Sequence, residues 1–323
     1  MMKFVSITAV IRTIIRVKSI LQRYNFTPKV YFFVNNQCNF VAMRILVTGG
    51  AGFVGTNLIK GLLEHGHEIV SIDDYSIGTK ENHLDSVKYL DHNVINIEGF
   101  DGDYDLCYHL AGLSRIQPSF QFPQDTFRAN TEGTQCVMEW ARKNKVKVIY
   151  SGSSSKHHNP QLSPYAMYKY LGEEICKMYK RAYDSKVEIV RFYNVYGPFE
   201  IIDGNWAAVI GLWRNKVAKG LPITIVGDGE QRRDFTHIDD IVDGLIKIGF
   251  SGAQVEDAWE LGSGKNYSLN EVYAMFKSRF NVDCEYIADQ NGNYRETLRE
   301  NNIALDELGW HPKDRLENYI NNL

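Results

Sequence analysis

The stretch Arg44-Ile45-Leu46-Val47-Thr48-Gly49-Gly50-Ala51-Gly52-Phe53-Val54-Gly55 limits what this chain can fold into more than any other. Ile45, Leu46 and Val47 form an unbroken apolar run, the pattern of a parallel strand buried on both faces. Beyond the glycines, Leu58, Ile59, Leu62 and Leu63 repeat at helical spacing. A glycine turn between strand and helix lets the backbone approach a pyrophosphate. The helix N-terminus then offers N–H groups and a positive dipole. Gly50, Gly52 and Gly55 have the spacing of the general dinucleotide fingerprint. Such a unit belongs in an α/β fold built on a doubly wound parallel sheet.

The next strand, Glu68-Ile69-Val70-Ser71-Ile72, ends in Asp73, about 20 residues past the glycines. An acid there hydrogen-bonds the adenosine ribose hydroxyls and repels a 2′-phosphate, so NAD is expected rather than NADP. The competing role for Asp73 is to cap a turn, as expected of Asp74. A third strand runs from Tyr104 into Leu110-Ala111-Gly112, a small-residue turn suited to line the cofactor. Cys107 and His109 read as strand positions rather than ligands.

Composition excludes several classes. The 323 residues suffice for one large domain or one and a half, and the net charge of −3 gives no sign of nucleic-acid binding. Five cysteines are scattered without paired spacing, which argues against a zinc site or a disulfide framework and for a reducing compartment. No metal site and a cytoplasmic location are expected. Residues 1–42 contain no acid, and Arg12, Arg16 and Lys18 interrupt their apolar runs, so no membrane span fits. They read as a basic extension, either a mis-assigned start before Met43 or a targeting or interfacial segment.

Ser163-Pro164-Tyr165-Ala166-Met167-Tyr168-Lys169 places Tyr165 and Lys169 one helical turn apart on one face. An ammonium near a phenol favours the phenolate. A base working near neutral pH needs a shift of roughly 3 units from about 10, or about 4 kcal/mol. In a chain with 19 tyrosines such a pair also arises by chance. The upstream glycine turn gives it weight.

From Met43 onward the chain resembles an extended short-chain dehydrogenase/reductase of the NAD-dependent sugar epimerase/dehydratase family. The resemblance rests on Thr48-Gly49 to Gly55, Asp73, His109 to Gly112, Asn130 with Gly133-Thr134, and Ser153. It continues through Tyr165 with Lys169, Arg191 to Pro198, Gly227 to Phe235, and Leu308 to Pro312. It implies a Rossmann-type sheet over residues 43–197, which holds NAD and the Ser/Tyr/Lys set. It also implies a smaller C-terminal α/β substrate-binding subdomain over 198–323, with a segment near 235–264 returning to the main sheet. Catalytic residues would be Ser153, Tyr165 and Lys169, with Lys169 also lowering the tyrosine pKa. Cofactor contacts would come from Gly49, Gly52, Phe53, Val54, Gly55, Asp73, Leu110, Ala111, Gly112, Tyr165, Lys169 and Tyr193. A nucleotide-sugar substrate would meet Ser153, Asn194, Arg233 and Arg295.

Ser154 and Ser155 stand where dehydratase and decarboxylase relatives carry acids. The chemistry left is 4-epimerisation, resembling that of a UDP-glucose 4-epimerase. A dehydratase or oxidoreductase is the alternative, and a non-catalytic NAD binder the reading from another class. The Lys156–Pro164 loop is shorter than in many relatives, which leaves the sugar open. Gly204-Asn205-Trp206 is expected to open a helix running past Trp213, with both tryptophans in core packing. The competing role for Arg233 is a surface salt bridge to Asp234 or Asp239. Relatives commonly dimerise through helices corresponding to 130–143 and 165–183, so a homodimer is expected.

Overall fold

The computed structural model describes residues 42–323 together with two short strands, Phe33–Val34 and Gln37–Cys38. These two pair antiparallel within the unit Met1–Ala42, and Met43–Leu323 forms a second compact unit. The remaining expectations for residues 1–42 lie outside the described residues. No helix among the described residues is long and apolar enough to cross a membrane.

The strands of the larger unit are β1 (Arg44–Thr48), β2 (Glu68–Asp73), β3 (Lys88–Asp91), β4 (Leu106–His109), β5 (Lys147–Ser153) and β6 (Val187–Phe192). They continue with β7 (Asn194–Tyr196), β8 (Ile223–Val226), β9 (Arg232–His237), β10 (Trp259–Leu261), β11 (Asn266–Ser268) and β12 (Cys284–Ile287). The longer helices are α1 (Phe53–Glu64), α2 (Gly133–Asn144), α3 (Pro164–Tyr183), α4 (Val209–Ala218), α5 (Ile238–Phe250) and α6 (Leu269–Phe280).

Seven strands form one wholly parallel sheet in the order β10-β6-β5-β4-β1-β2-β3. Side-chain alternation along β1 explains its two layers. Ile45 and Val47 pack with Leu58, Ile59 and Leu62 of α1 and Ile241, Leu245 and Ile248 of α5. Leu46 faces the other way, into a core with Val137, Met138 and Trp140 of α2 and Cys176 and Tyr179 of α3. Strand order reverses between β1 and β4. A ligand crevice is expected beyond the carboxyl ends of the strands at that switch point.

A second core gathers Ile210 and Trp213 of α4, Ile223 and Ile225 of β8, Phe235 of β9, and Val272 and Phe276 of α6. Around it lie the parallel pair β8–β12 and the three-stranded sheet β11-β9-β7. The chain returns to the main sheet through β10, which pairs with β6. The helix expected to open at Gly204 starts instead at Val209. Gly204 takes a positive φ of +78°, which bends the backbone into a turn. Trp213 is buried there, whereas Trp206 is only half-buried.

Candidate active site

A cleft of about 990 Å³ opens along the carboxyl ends of β1, β4, β5 and β6, with residues of the second core on its far wall. Gly49 stands at the end of β1 with φ +72°, and a side chain there would place its Cβ 2.7 Å from the backbone nitrogen of Ala111. A Cβ on Gly55 would lie 2.2 Å from the Gly49 carbonyl. Both glycines are therefore required by close backbone approach. Gly52 is the N-cap of α1 and supplies no side-chain cap, so Phe53, Val54 and Gly55 present the helix start to the cleft. This cradle fits a dinucleotide pyrophosphate.

Asp73 lies where the ribose is expected. One carboxylate oxygen accepts from the Ala51 N–H at 2.9 Å and the other from the Tyr75 N–H at 2.9 Å. Burial pushes its carboxyl above the ordinary range, against the pull of those two bonds. Leu110, Ala111 and Gly112 line the neighbouring wall. Asn130 clamps the following residue from both sides, its amide accepting from the Leu113 N–H and donating to the Leu113 carbonyl, each at 2.8 Å.

Ser163 caps α3 through its Oγ, which accepts from the Ala166 N–H at 3.1 Å, and Pro164 takes the first helical position. Tyr165 is thereby held in the first turn. Its hydroxyl donates to Ser153 Oγ, at the end of β5, over 3.2 Å. Its backbone N–H donates to Ser119 Oγ at 3.1 Å. Lys169, one turn on, donates from Nζ to the Ser151 carbonyl at 2.8 Å. Without cofactor, no effect of Lys169 on the Tyr165 phenol stands out. Burial raises the phenol above its ordinary value, with the Ser153 bond and the Arg115 charge pulling it down. The Lys169 ammonium keeps further N–H donors beyond that carbonyl, and its own pKa is lowered to about 8 by burial.

Tyr193 lines the cleft, and its hydroxyl donates to Glu260 Oε2 at 2.8 Å. Behind it Arg191 binds the buried Glu173 and Glu260 and the exposed Asp257. His157 joins through Glu260 at 2.9 Å, and His158 stacks on Tyr294 with ring centroids 3.9 Å apart.

On the far wall stand Asn194, bonded to Thr297 Oγ1 at 3.4 Å, and Arg233. Neither proposed salt bridge of Arg233 forms. Asp234 accepts the backbone N–H groups of Ser263, Gly264 and Arg299, and Asp239 pairs with Arg315. Arg233 donates to the Arg232 carbonyl at 2.8 Å, and burial lowers its pKa to about 10. Arg295 must be removed from the site. It is exposed and pairs with Asp228 at 2.9 Å, outside the cleft. The segment is extended beside β9, so neighbours point oppositely, and it is Tyr294 that faces inward.

One cleft residue escaped the sequence reading. Arg115 follows the Ala111-Gly112 turn with φ +117°, lines the cleft, and donates from Nε to the Trp206 carbonyl at 3.1 Å. Nothing in its sequence context marks it.

Known proteins resemble the chain over this whole region. The NAD dependent epimerase/dehydratase family matches residues 45–262. UDP-glucose 4-epimerase of Mycolicibacterium smegmatis is 29% identical over 297 residues, covering 84% of this chain and 94% of that protein. The structure of UDP-glucose 4-epimerase from Thermotoga maritima with UDP-glucose superposes with a TM-score of 0.81 at 26% identity, covering 86% of this chain and 96% of that one. UDP-glucuronic acid 4-epimerase of Bacillus cereus, solved with UDP-glucuronic acid and NAD, gives 0.79 at 25% identity, over 86% and 96% of the two chains. The match to two thirds of the sequence, on a cradle built for a dinucleotide, makes this chain a member of the NAD-dependent epimerase/dehydratase family of nucleotide-sugar enzymes, with NAD as its cofactor.

Proposed function

We propose that the chain is an NAD-dependent nucleotide-sugar 4-epimerase of the UDP-hexose type. The observation that carries this is the chemistry beside Ser153 and Tyr165. Among the described residues, the acids on the cleft wall are Asp73, Asp74 and Asp125, and none of them bonds Ser153 or Tyr165. The buried Glu173 near Ser153 is held by Arg191 and does not line the cleft. Elimination of water and decarboxylation have no dedicated acid or base here. A reversible oxidation at C4 needs only the pair present.

In this reading Ser153 Oγ holds the C4 hydroxyl and Tyr165 Oη takes its proton as oxidation proceeds. When bound, NAD supplies the redox chemistry, taking hydride from C4 and returning it, together with a positive ring charge. Lys169 holds the nicotinamide ribose. Gly49, Gly52, Phe53, Val54, Gly55 and Asp73 bind the rest of the cofactor, with Leu110, Ala111, Gly112 and Tyr193 along its length. Asn194 and Arg233 hold the substrate diphosphate, the guanidinium fork matching paired phosphate oxygens. The 4-keto sugar turns over while its diphosphate stays anchored, so that C4 presents its opposite face to the cofactor, and Tyr165 returns the proton to the C4 oxygen. Residues 43–197 thus serve the cofactor and 198–323 mainly the sugar nucleotide. A homodimer through α2 and α3 fits this assignment.

The test incubates the purified protein with UDP-glucose, UDP-galactose, UDP-glucuronate and UDP-galacturonate and follows the anomeric protons by NMR. The reading expects a C4 epimer at equilibrium without net NAD consumption, and a loss of roughly 10²–10⁴-fold in Tyr165→Phe. Stoichiometric NADH release or a lasting keto product would assign a dehydratase or oxidoreductase instead. NAD binding without any turnover across a broad sugar panel would leave a cofactor-binding protein.

A further inference from the structure

Arg115 is tied into the site from both sides. Asn130 clamps Leu113, two residues before it. Ser119, four residues after it, accepts the backbone N–H of Tyr165 through its Oγ. The loop carrying Arg115 is thereby fixed against the start of α3. Its φ of +117° lies where non-glycine residues are rarely found, a conformation that persists only when surroundings impose it. Nε points across to the Trp206 carbonyl of the far wall. The two terminal nitrogens have no protein partner among the described residues, and no carboxylate pairs with them. The groups whose charge acts on it are the Tyr165 phenol and Glu200, whose Oε1 takes Arg214 at 2.9 Å and Tyr319 at 3.2 Å while Oε2 has no hydrogen-bond partner, and neither forms an ion pair with Arg115. A guanidinium sheltered in a cleft wall with no direct ion pair is costly unless a ligand supplies the charge.

We propose that Arg115 binds a carboxylate on the sugar carbon next to the reacting one, so that the substrate is a nucleoside-diphosphate hexuronate. This rests on the 4-epimerase reading. With the C4 hydroxyl at Ser153 and Tyr165, the groups beside it are the C3 hydroxyl and the substituent on C5. Of these, only the C5 substituent becomes an anion on simple oxidation, from CH₂OH to COO⁻. The planar fork of arginine matches a carboxylate through two parallel N–H bonds. Arg233 already serves the diphosphate, so a second unpaired guanidinium calls for a second anion. A neutral hexose would strip water from Arg115 and return less, a penalty of about 10–100-fold in affinity.

The experiment measures dissociation constants of UDP-glucose and UDP-glucuronate for the NAD-loaded protein by calorimetry, in wild type, Arg115→Gln and Arg115→Gly. Glycine tolerates the positive φ and keeps the comparison valid if glutamine impairs folding. UDP-glucuronate should bind wild type at least ~10-fold more tightly than UDP-glucose, and the ratio should fall towards one in both variants. A wild-type ratio near one, or a preference for uronate that survives both substitutions, overturns the proposal. NMR turnover on the same samples tests the 4-epimerase reading separately. C4 epimers forming from both sugars with no dependence of the binding ratio on Arg115 would leave that reading standing and this one refuted. A ratio that depends on Arg115 without epimer formation would do the reverse.

Discussion

Replacing Arg191 with methionine tests whether a buried charge cluster underlies the cleft wall at Ser153 and Tyr193. Arg191 and its partners Glu173 and Glu260 are 2%, 1% and 0% exposed at their side chains. Arg191 donates to Glu173 at 2.8 and 3.1 Å and to Glu260 at 3.0 Å. Without it, Glu260 keeps His157 at 2.9 Å and Tyr193 at 2.8 Å. Glu173 keeps one hydrogen bond, from the Ser153 N–H at 3.5 Å, and the attraction of Lys169. Removing one member of a buried ion cluster costs about 3–5 kcal/mol, because the remaining charge is uncompensated. At ~2–4 °C per kcal/mol for a chain of this size, Arg191→Met should lower the melting temperature by roughly 10 °C in scanning calorimetry. The triple variant Arg191→Met, Glu173→Gln, Glu260→Gln removes the stranded charges and should recover most of that loss. A shift below ~2 °C in the single variant, or a triple variant no better than the single, would refute the charge argument. The Ser153 N–H and the Tyr193 hydroxyl both bond to this cluster, so the proposed 4-epimerase activity should fall and recover with it.

Other consequences are as direct. Arg233→Ala should raise KM for the nucleotide sugar by about 10–100-fold, from the loss of a charge-assisted contact, while Arg295→Ala, at an exposed pair with Asp228, should stay within ~2-fold in a steady-state assay. Gly55→Ala should strip NAD from the purified protein, read from its absorbance and cofactor content, because the new Cβ would lie 2.2 Å from the Gly49 carbonyl. Lys169 is depressed to about 8 by burial against an unfolded value of about 10.4. Between those values the unfolded chain holds the proton that the folded chain has released. The stability of the cofactor-free protein should therefore rise with pH across this window, relative to Lys169→Met, in urea melts at pH 7.5 and 9.5.

The reach of the sequence followed the kind of constraint at each position. Around Gly49 and Gly55 the backbone approaches other backbone so closely that only glycine fits, and such a requirement is visible as a residue type. Ile45, Leu46 and Val47 were legible for a similar reason. A strand buried on both faces admits no polar residue, so its place in the sheet is written in the run itself. Arg295 was misplaced because residue type alone does not give parity. In an extended segment one position of offset exchanges the cleft for solvent, and Tyr294 took the inward place. The Tyr165–Lys169 spacing gave the shared helix face but not the partner of the ammonium. Helical period fixes which face two side chains share, but the carbonyl of Ser151, from a strand 18 residues upstream, decides where the ammonium goes. Arg115 left no trace because its positive φ is imposed from outside its own sequence, by the Asn130 clamp and by Ser119. These last two cases share a cause. Each depends on a bond between separate elements of the chain, and that is where the electrostatics around Tyr165 is set.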